Sequence, residues 1–449
     1  MPMMMKKKTI ILIPYPAQGH VTPMLKLASL LSNLNFQPVV ITPEFIHSRI
    51  SRQISPEDGI LCFSIPDGLA EDTKRDFFAI EWAMEEYMPK VLEEVVLKMI
   101  EEDGGGVVGL VADLLASWAV EVARRCGVPA AGFWPAMHAT YRLIAAIPEL
   151  IQAGVISENG FPRNLSAPIC FSPNEPILTS ANDLPWLIGS STARIKRFKF
   201  WIRTLERSKA LRWILTNTFQ NEYESKMTIC SCPNPEKVFE IGPLIMQAAT
   251  ISTSSFWEED MSCLGWLDEQ NVGSVLYISF GSWVSPIGED KVRALALTLE
   301  ALGRPFIWVL GPTWRRGLPN GYAERVATHG RIVSWAPQVE VLGHPTIGCY
   351  LTHCGWNSTI EAIQCKKTML CYPIAGDQFV NCAYIVDAWK IGVKIEGFGI
   401  EEVEDGVRRV MEDEEVNSRI EKLNEKLFGK EISSKAMTSL STFIQELVE

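Results

Sequence analysis

Residues 335–378 read WAPQVEVLGHPTIGCYLTHCGWNSTIEAIQCKKTMLCYPIAGDQ, and the rest of the chain is placed by reference to them. The centre, with Ile347, Cys349, Tyr350 and Leu351, is a short apolar run of the kind that forms a buried strand. It stops at Thr352-His353-Cys354-Gly355, and a helical pattern resumes at Trp356-Asn357-Ser358. A strand that enters a glycine turn and then a helix N-terminus gathers free N–H groups and the positive end of a helix dipole at one point, which suits a phosphate. Asn357 and Ser358 add side-chain donors there, and His353 adds another. There is no Gly-x-x-x-x-Gly-Lys, so the turn is not a P-loop. A blander reading competes. Ser358-Thr359-Ile360-Glu361 fits the Ser/Thr-x-x-Glu capping box, which would use Ser358 and Glu361 to satisfy orphan helix donors.

The neighbours of the turn favour a ligand. The segment opens on Trp335 and closes on Asp377-Gln378, just after the next strand, TMLCYP. Both strands would end on one edge of a parallel sheet, where ligands of open α/β folds bind. An aromatic plate, a diphosphate cradle and an Asp-Gln clamp for hydroxyls together describe a nucleotide-sugar site.

Outward from this stretch the chain alternates strands and helices, which predicts doubly wound parallel sheets. TIILIPYP runs into Pro14-Tyr15-Pro16-Ala17-Gln18-Gly19-His20, with a helix expected from Pro23 through Leu34 and then the strand QPVVITPE. Residues 75–101 read as helical. VVGLVAD ends at Asp113, a helix at 116–126 follows, and PAAGFWP, RWILTNT and VFEIGPL complete a first set of strands. Residues 245–262 are small and polar, then acidic, as an interdomain linker would be. A second alternation begins at SVLYISFGS, with a helix at 287–302, then RPFIWVLG and RIVSWAP. The expected organisation is residues 1–244 as an N-terminal domain, 263–430 as a C-terminal domain, and a terminal helix at 431–449.

Bulk composition sets outer limits. At 449 residues two domains are expected, and 47% hydrophobic with 21% charged residues is globular. A net charge of −11 argues against nucleic acid and anionic membrane surfaces as partners. Lys6-Lys7-Lys8 precedes only a five-residue apolar stretch, so no signal peptide is read there, and no transmembrane span is expected. The eleven cysteines lie mostly in apolar runs and suit a reducing compartment; Cys230 and Cys232 form a lone C-x-C without further metal ligands.

The segment resembles the signature of plant family 1 UDP-sugar-dependent glycosyltransferases, which act on small plant metabolites. The likeness runs from Trp335-Ala336-Pro337-Gln338 through His353-Cys354-Gly355-Trp356-Asn357-Ser358 and Glu361 to Asp377-Gln378, at the family's spacing. It departs at Lys366-Lys367-Thr368, where the family usually has Gly-Val-Pro, and at Tyr372, usually Trp. LTNTF at 215–219, IGPL at 241–244, CLGWLD at 263–268 and YISFGS at 277–282 extend it over most of the chain.

The resemblance implies the GT-B arrangement, two Rossmann-like domains facing across a cleft, with the last helix crossing back to the first domain. It implies a cytoplasmic, monomeric enzyme that transfers glucose from UDP-glucose to a hydroxyl, or alternatively a carboxyl, group of a small apolar plant metabolite, with no metal and no other cofactor. It places a catalytic base at His20 and its carboxylate partner at Asp113. Read from the residues alone, a His in a Gly-His turn such as His20 is usually a surface or capping residue, and Asp113 reads as a helix N-cap. Carried over by position, Trp335 would stack on uracil beside Ala336, and Gln338 and Glu361 would hold the ribose. His353, Gly355, Asn357 and Ser358 would bind the diphosphate, with Gly19 and Ser282 facing them. Trp356, Asp377 and Gln378 would read the sugar, and the helix dipole with His353 would neutralise the leaving group. Attack from the face opposite UDP implies inversion. Tyr15, Trp82, Met88, Trp134, Met137, Trp186, Trp283 and Phe379 are the candidates for an apolar acceptor pocket. A catalytically silent UDP-sugar-binding protein and a nucleotide-sugar epimerase remain alternatives on the same fold. A nicotinamide dehydrogenase does not, because no strand is followed by Gly-x-Gly-x-x-Gly.

Overall fold

The computed structural model describes residues 7–52, 54–104, 106–165, 168–169, 178, 180–219, 238–244, 256–282 and 287–449. Seven strands form the first sheet: β1 (Thr9–Ile13), β2 (Gln37–Pro43), β3 (Leu61–Ile65), β4 (Val107–Asp113), β5 (Ala130–Trp134), β6 (Trp213–Thr216) and β7 (Val238–Glu240). Their order is β3-β2-β1-β4-β5-β6-β7, all parallel. The second sheet, also parallel, takes β8 (Val275–Ser279), β9 (Phe306–Val309), β10 (Gly330–Val333), β11 (Ile347–Thr352), β12 (Met369–Cys371) and β13 (Gly392–Lys394) in the order β10-β9-β8-β11-β12-β13. The molecule is thus α/β with two Rossmann-like halves.

Each sheet is covered on both faces, as its continuous apolar strands require. Along β1, Ile11 and Ile13 join one core while Ile10 and Leu12 join another on the opposite face. Burying each such side chain contributes about 1.5–3 kcal/mol. The last helix, Lys430–Val448, packs on the first sheet: Leu440, Phe443, Ile444 and Leu447 complete the core around Ile10 and Leu12. Gly109 seats it, since a Cβ there would lie 2.8 Å from Leu447, and the Trp213 indole N–H donates to Glu446 at 2.6 Å.

Strand order reverses direction between β1 and β4 in the first sheet, and between β8 and β11 in the second. The crevice at such a switch point is where open α/β sheets bind ligands. His20 and Asp113 flank one switch point; Gly281-Ser282 and His353-Gly355 flank the other.

Two expectations change. Strands β3 and β13 were not foreseen: β3 is an edge strand with Leu61 and Phe63 exposed, and β13 has only three residues. The first helix is Gln18–Asn33, starting before Pro23, so His20 stands in its first turn. Of the expected linker 245–262, residues 245–255 lie outside the described residues. Among the described residues, no helix is long and apolar enough to cross a membrane.

Candidate active site

The helix Trp356–Gln364 begins after the left-handed residue Cys354 (φ 66°) and is capped by Gly355 without any side-chain hydrogen bond. Its first intrahelical bond runs from the Thr359 N–H to the Gly355 carbonyl, so the N–H groups of residues 356–358 have no helical acceptor. The capping-box reading fails here. Ser358 lies three residues inside the helix, and its Oγ accepts from Gln338 Nε2 at 2.9 Å. The same amide donates to Glu361 Oε2 at 2.7 Å, and Tyr277 and Tyr350 hydroxyls donate to Gln338 Oε1 at 3.1 and 3.2 Å. Burial pushes the Glu361 carboxyl up, with Lys26 from the first half pulling it back.

His353 fills the floor of the turn. A Cβ at Gly281 or at Gly355 would each come within 2.5 Å of its Nε2, so only glycine on both sides leaves room for the ring. Burial lowers its pKa to about 4, with the Ser279 backbone opposing the shift, and among the described residues its buried Nδ1 has no hydrogen-bond partner. The imidazole is therefore neutral and offers a hydrogen bond rather than the charge expected of it. Because Gly281 also has φ 78°, Gly281→Ala should strain the backbone and displace His353. We expect UDP affinity, measured by calorimetry, to fall about tenfold; an unchanged affinity would separate His353 from the diphosphate.

Across the cleft, His20 Nδ1 lies 2.7 Å from Asp113 Oδ2, while Asp113 Oδ1 accepts the Leu115 N–H at 2.9 Å. Asp113 is thus both cap and orienter, so the two readings coexist. A carboxylate only accepts, so Nδ1 carries the proton and Nε2 is left for a reactant. Burial pushes His20 down, but the Asp113 charge and hydrogen bond, with Asp377 behind them, more than reverse it, and its pKa is raised. The Asp377 carboxyl is itself pushed up by burial and accepts from Asn381 at 2.9 Å.

The halves are pinned together at the helix N-terminus. Pro23 has no N–H, which frees the Gly19 carbonyl four residues earlier, and that oxygen accepts Asn357 Nδ2 at 3.0 Å. The Trp356 indole N–H donates to the Asn217 carbonyl at 3.0 Å, and its ring stacks on Phe219. The indole N–H is then not free for a sugar hydroxyl, contrary to expectation, although Trp356 lines the cavity. Gln378 Oε1 accepts the Ile374 and Ala375 N–H groups at 2.9 and 3.0 Å, which staples the preceding loop and leaves its NH₂ for a ligand.

One cavity of about 1420 Å³ spans both halves. That exceeds the roughly 300–1,000 Å³ of a one-ligand pocket and has room for two molecules. Gly19, His20, Ser282, Trp335, Ala336, Gln338, His353, Gly355, Trp356, Asn357, Ser358, Glu361, Asp377 and Gln378 line it; Asp113 stands behind His20.

Of the acceptor candidates, Tyr15, Trp134 and Phe379 line the cavity. Four do not. Trp82 is 47% exposed, because Phe77, about 140° away around the same helix, takes the inward position. Met88 is buried in the core after a π turn. Met137 is also buried, its carbonyl accepting the Trp134 indole N–H, and Trp186 donates to Gly160 inside the core. Trp283 lies outside the described residues, as do Cys230 and Cys232. Lys26, Phe77, Thr140, Arg197, Trp201 and Tyr277 line the cavity without having been singled out. Periodicity could have found Phe77 on the inner face of its helix; nothing local marks the others.

A family model described as UDP-glucoronosyl and UDP-glucosyl transferase matches residues 206–426. The chain is 55% identical to UDP-glycosyltransferase 82A1 of Arabidopsis thaliana over 95% of each chain. Its fold superposes on a UDP-glucose:anthocyanidin 3-O-glucosyltransferase in complex with UDP, with TM-score 0.80, 22% identity and 99% of both chains covered. It superposes equally on Phytolacca americana UGT2 complexed with UDP-2-fluoro-glucose and pterostilbene, with TM-score 0.80, 22% identity, and 98% and 100% covered.

Proposed function

The chain belongs to the plant family 1 UDP-glycosyltransferases, and on that footing we propose that its cleft transfers glucose from UDP-glucose, with inversion, to a hydroxyl of a small apolar metabolite. The observation that carries this is the His20–Asp113 pair facing, through one cavity, the open N-terminus of helix Trp356–Gln364. His20 Nε2 takes the acceptor proton, Asp113 holds the tautomer and steadies the imidazolium, and the oxygen attacks the anomeric carbon. Trp335 stacks on uracil, Glu361 holds the ribose while Gln338 fixes its carboxylate, and Asp377 with the Gln378 NH₂ reads the sugar. The departing diphosphate meets the N–H groups of residues 356–358, His353 and Ser282. These are nitrogen and hydroxyl donors rather than a cation's oxygen ligands, which supports a metal-independent reaction.

Residues 1–244 would hold the acceptor and 263–430 the donor, joined through 245–262, with 431–449 returning to the first half. The eight described cysteines are all unpaired, which supports a reducing, cytoplasmic setting. Incubating the protein with UDP-glucose and a panel of apolar alcohols and phenols, read by mass, should give a one-hexose gain. UDP-sugar consumption without acceptor, or none with any acceptor, contradicts the reading.

Donor choice supplies a second test. Glucose and galactose differ at the 4-hydroxyl, and one buried unpaired polar group costs about 1–3 kcal/mol, so ten- to a hundredfold discrimination is expected for UDP-glucose over UDP-galactose. Gln378→His removes both the loop staple and the free NH₂, and should narrow that ratio of initial rates. An unaltered ratio removes Gln378 from sugar recognition.

A further inference from the structure

Helix Ser191–Lys209 carries a cation with no counterpart in the chemistry above. Arg203 and Arg207 on this helix are paired with Glu81 and Glu85. Arg197 lines the cavity instead and, among the described residues, forms neither an ion pair nor a hydrogen bond; its Nε is a buried donor without a partner. Its guanidinium lies 4.2 Å from the Phe77 ring centroid and 5.1 Å from that of Phe78. Such contacts occupy the face of the guanidinium and leave its edge N–H groups open. The carboxylates whose charge reaches it are engaged elsewhere: Asp76 caps a helix through Phe78 and Ala79, and Glu81 pairs with Arg203. Burial pulls the Arg197 pKa down, the mark of a charge that is costly where it stands.

The surroundings define what would relieve that cost. Phe77, Trp134 and Trp201 form apolar walls of the same cavity, and Thr140 adds a hydroxyl that has no partner among the described residues. Tyr15 connects this lobe to the reacting end, its ring centroid 5.2 Å from that of His20. The other described cations lining the cavity belong to the donor side, Lys26 near Glu361 and Lys291 over Tyr372. A dianion would need a second cation here; a carboxylate matches one guanidinium, two N–H bonds to two oxygens.

Resting on the transfer reading of the cleft, we propose that the acceptor is a hydroxy acid: an apolar or aromatic body whose carboxylate is bound by Arg197 while its hydroxyl faces His20. The carboxylate takes no part in the bond changes. The hydroxyl proton passes to His20 Nε2, the oxygen–anomeric carbon bond forms, and the bond to UDP breaks with its electron pair leaving on the diphosphate. The product is an alkali-stable glucoside, not a glucose ester.

The test compares para-hydroxycinnamate and longer hydroxyaryl acids with their methyl esters, using UDP-glucose and the whole protein. Wild type should favour acid over ester in kcat/KM by about ten- to a hundredfold, mainly through KM. Arg197→Met, which keeps an apolar side chain over Phe77, should bring the ratio near one, and Arg197→Lys should restore part of it. A wild-type ratio near or below one, a ratio unmoved in Arg197→Met, or an alkali-labile product would each overturn the proposal. Titrating the same compounds against the UDP-bound protein by tryptophan fluorescence separates the two levels. Acid binding that needs Arg197 without any hexose transfer would sink the transfer reading and keep the acid site; acid and ester binding alike would sink the acid site alone.

Discussion

Replacing His20 with alanine is expected to lower turnover with any hydroxyl acceptor by about 10²–10⁴-fold, the usual worth of a positioned general base. UDP affinity should barely move, because His20 stands on the first half while the nucleotide-side residues stand on the second. A variant keeping more than about a tenth of wild-type turnover would remove His20 from the base role. The pH profile adds a second reading. Only neutral His20 accepts a proton, and its pKa is raised above the ordinary value of about 6.5. The rate limb of kcat/KM should therefore rise with pH through a midpoint above that value.

Asp113→Asn is expected to cost a comparable factor, about 10²–10⁴-fold in kcat, with thermal stability nearly unchanged. Asp113 offers one oxygen to Leu115 and the other to His20. Asparagine keeps a single oxygen, enough for the cap, and caps about as well as aspartate. Its NH₂ would then face His20 Nδ1, which must accept, so the ring proton moves to Nε2 and the nitrogen facing the acceptor is no longer a base. The groups that raise His20 are also weakened while burial remains, so any residual activity should show its limb shifted to lower pH. Asp113→Ala should lose the cap as well, about 1 kcal/mol of stability. A large drop in thermal midpoint with turnover per folded molecule intact would reduce Asp113 to a capping residue.

The parts of the site legible in the sequence are those built by contiguous backbone. A strand, a glycine turn and a helix N-terminus form one local object, and Thr352 through Ser358 can be read without knowing what faces them. The two sheets are legible for the same reason, because runs such as TIILI and VLYIS are apolar enough to be buried on both faces.

Relations between distant segments were not legible. Pro23 reads locally as a helix start, yet its effect is to free the Gly19 carbonyl for Asn357, 338 residues away. The Trp356 indole looked available for a sugar until Asn217 claimed it. Aromatic side chains could not be divided between core and cavity, because Trp186 and Trp134 are equally buried and differ only in what lies against them. Arg197 is one of several basic residues on helix Ser191–Lys209, and only packing turns it toward the cavity.

The most direct test of a single displacement between His20 and the donor is the anomeric configuration of the first product formed from UDP-α-glucose. Proton NMR of the purified glucoside should show the large diaxial coupling of a β-linkage, because the acceptor oxygen activated by His20 enters opposite the diphosphate held at helix Trp356–Gln364. An α-linked product would require attack from the diphosphate's own face or a covalent intermediate, and would contradict the arrangement in which His20 and the donor cradle oppose each other.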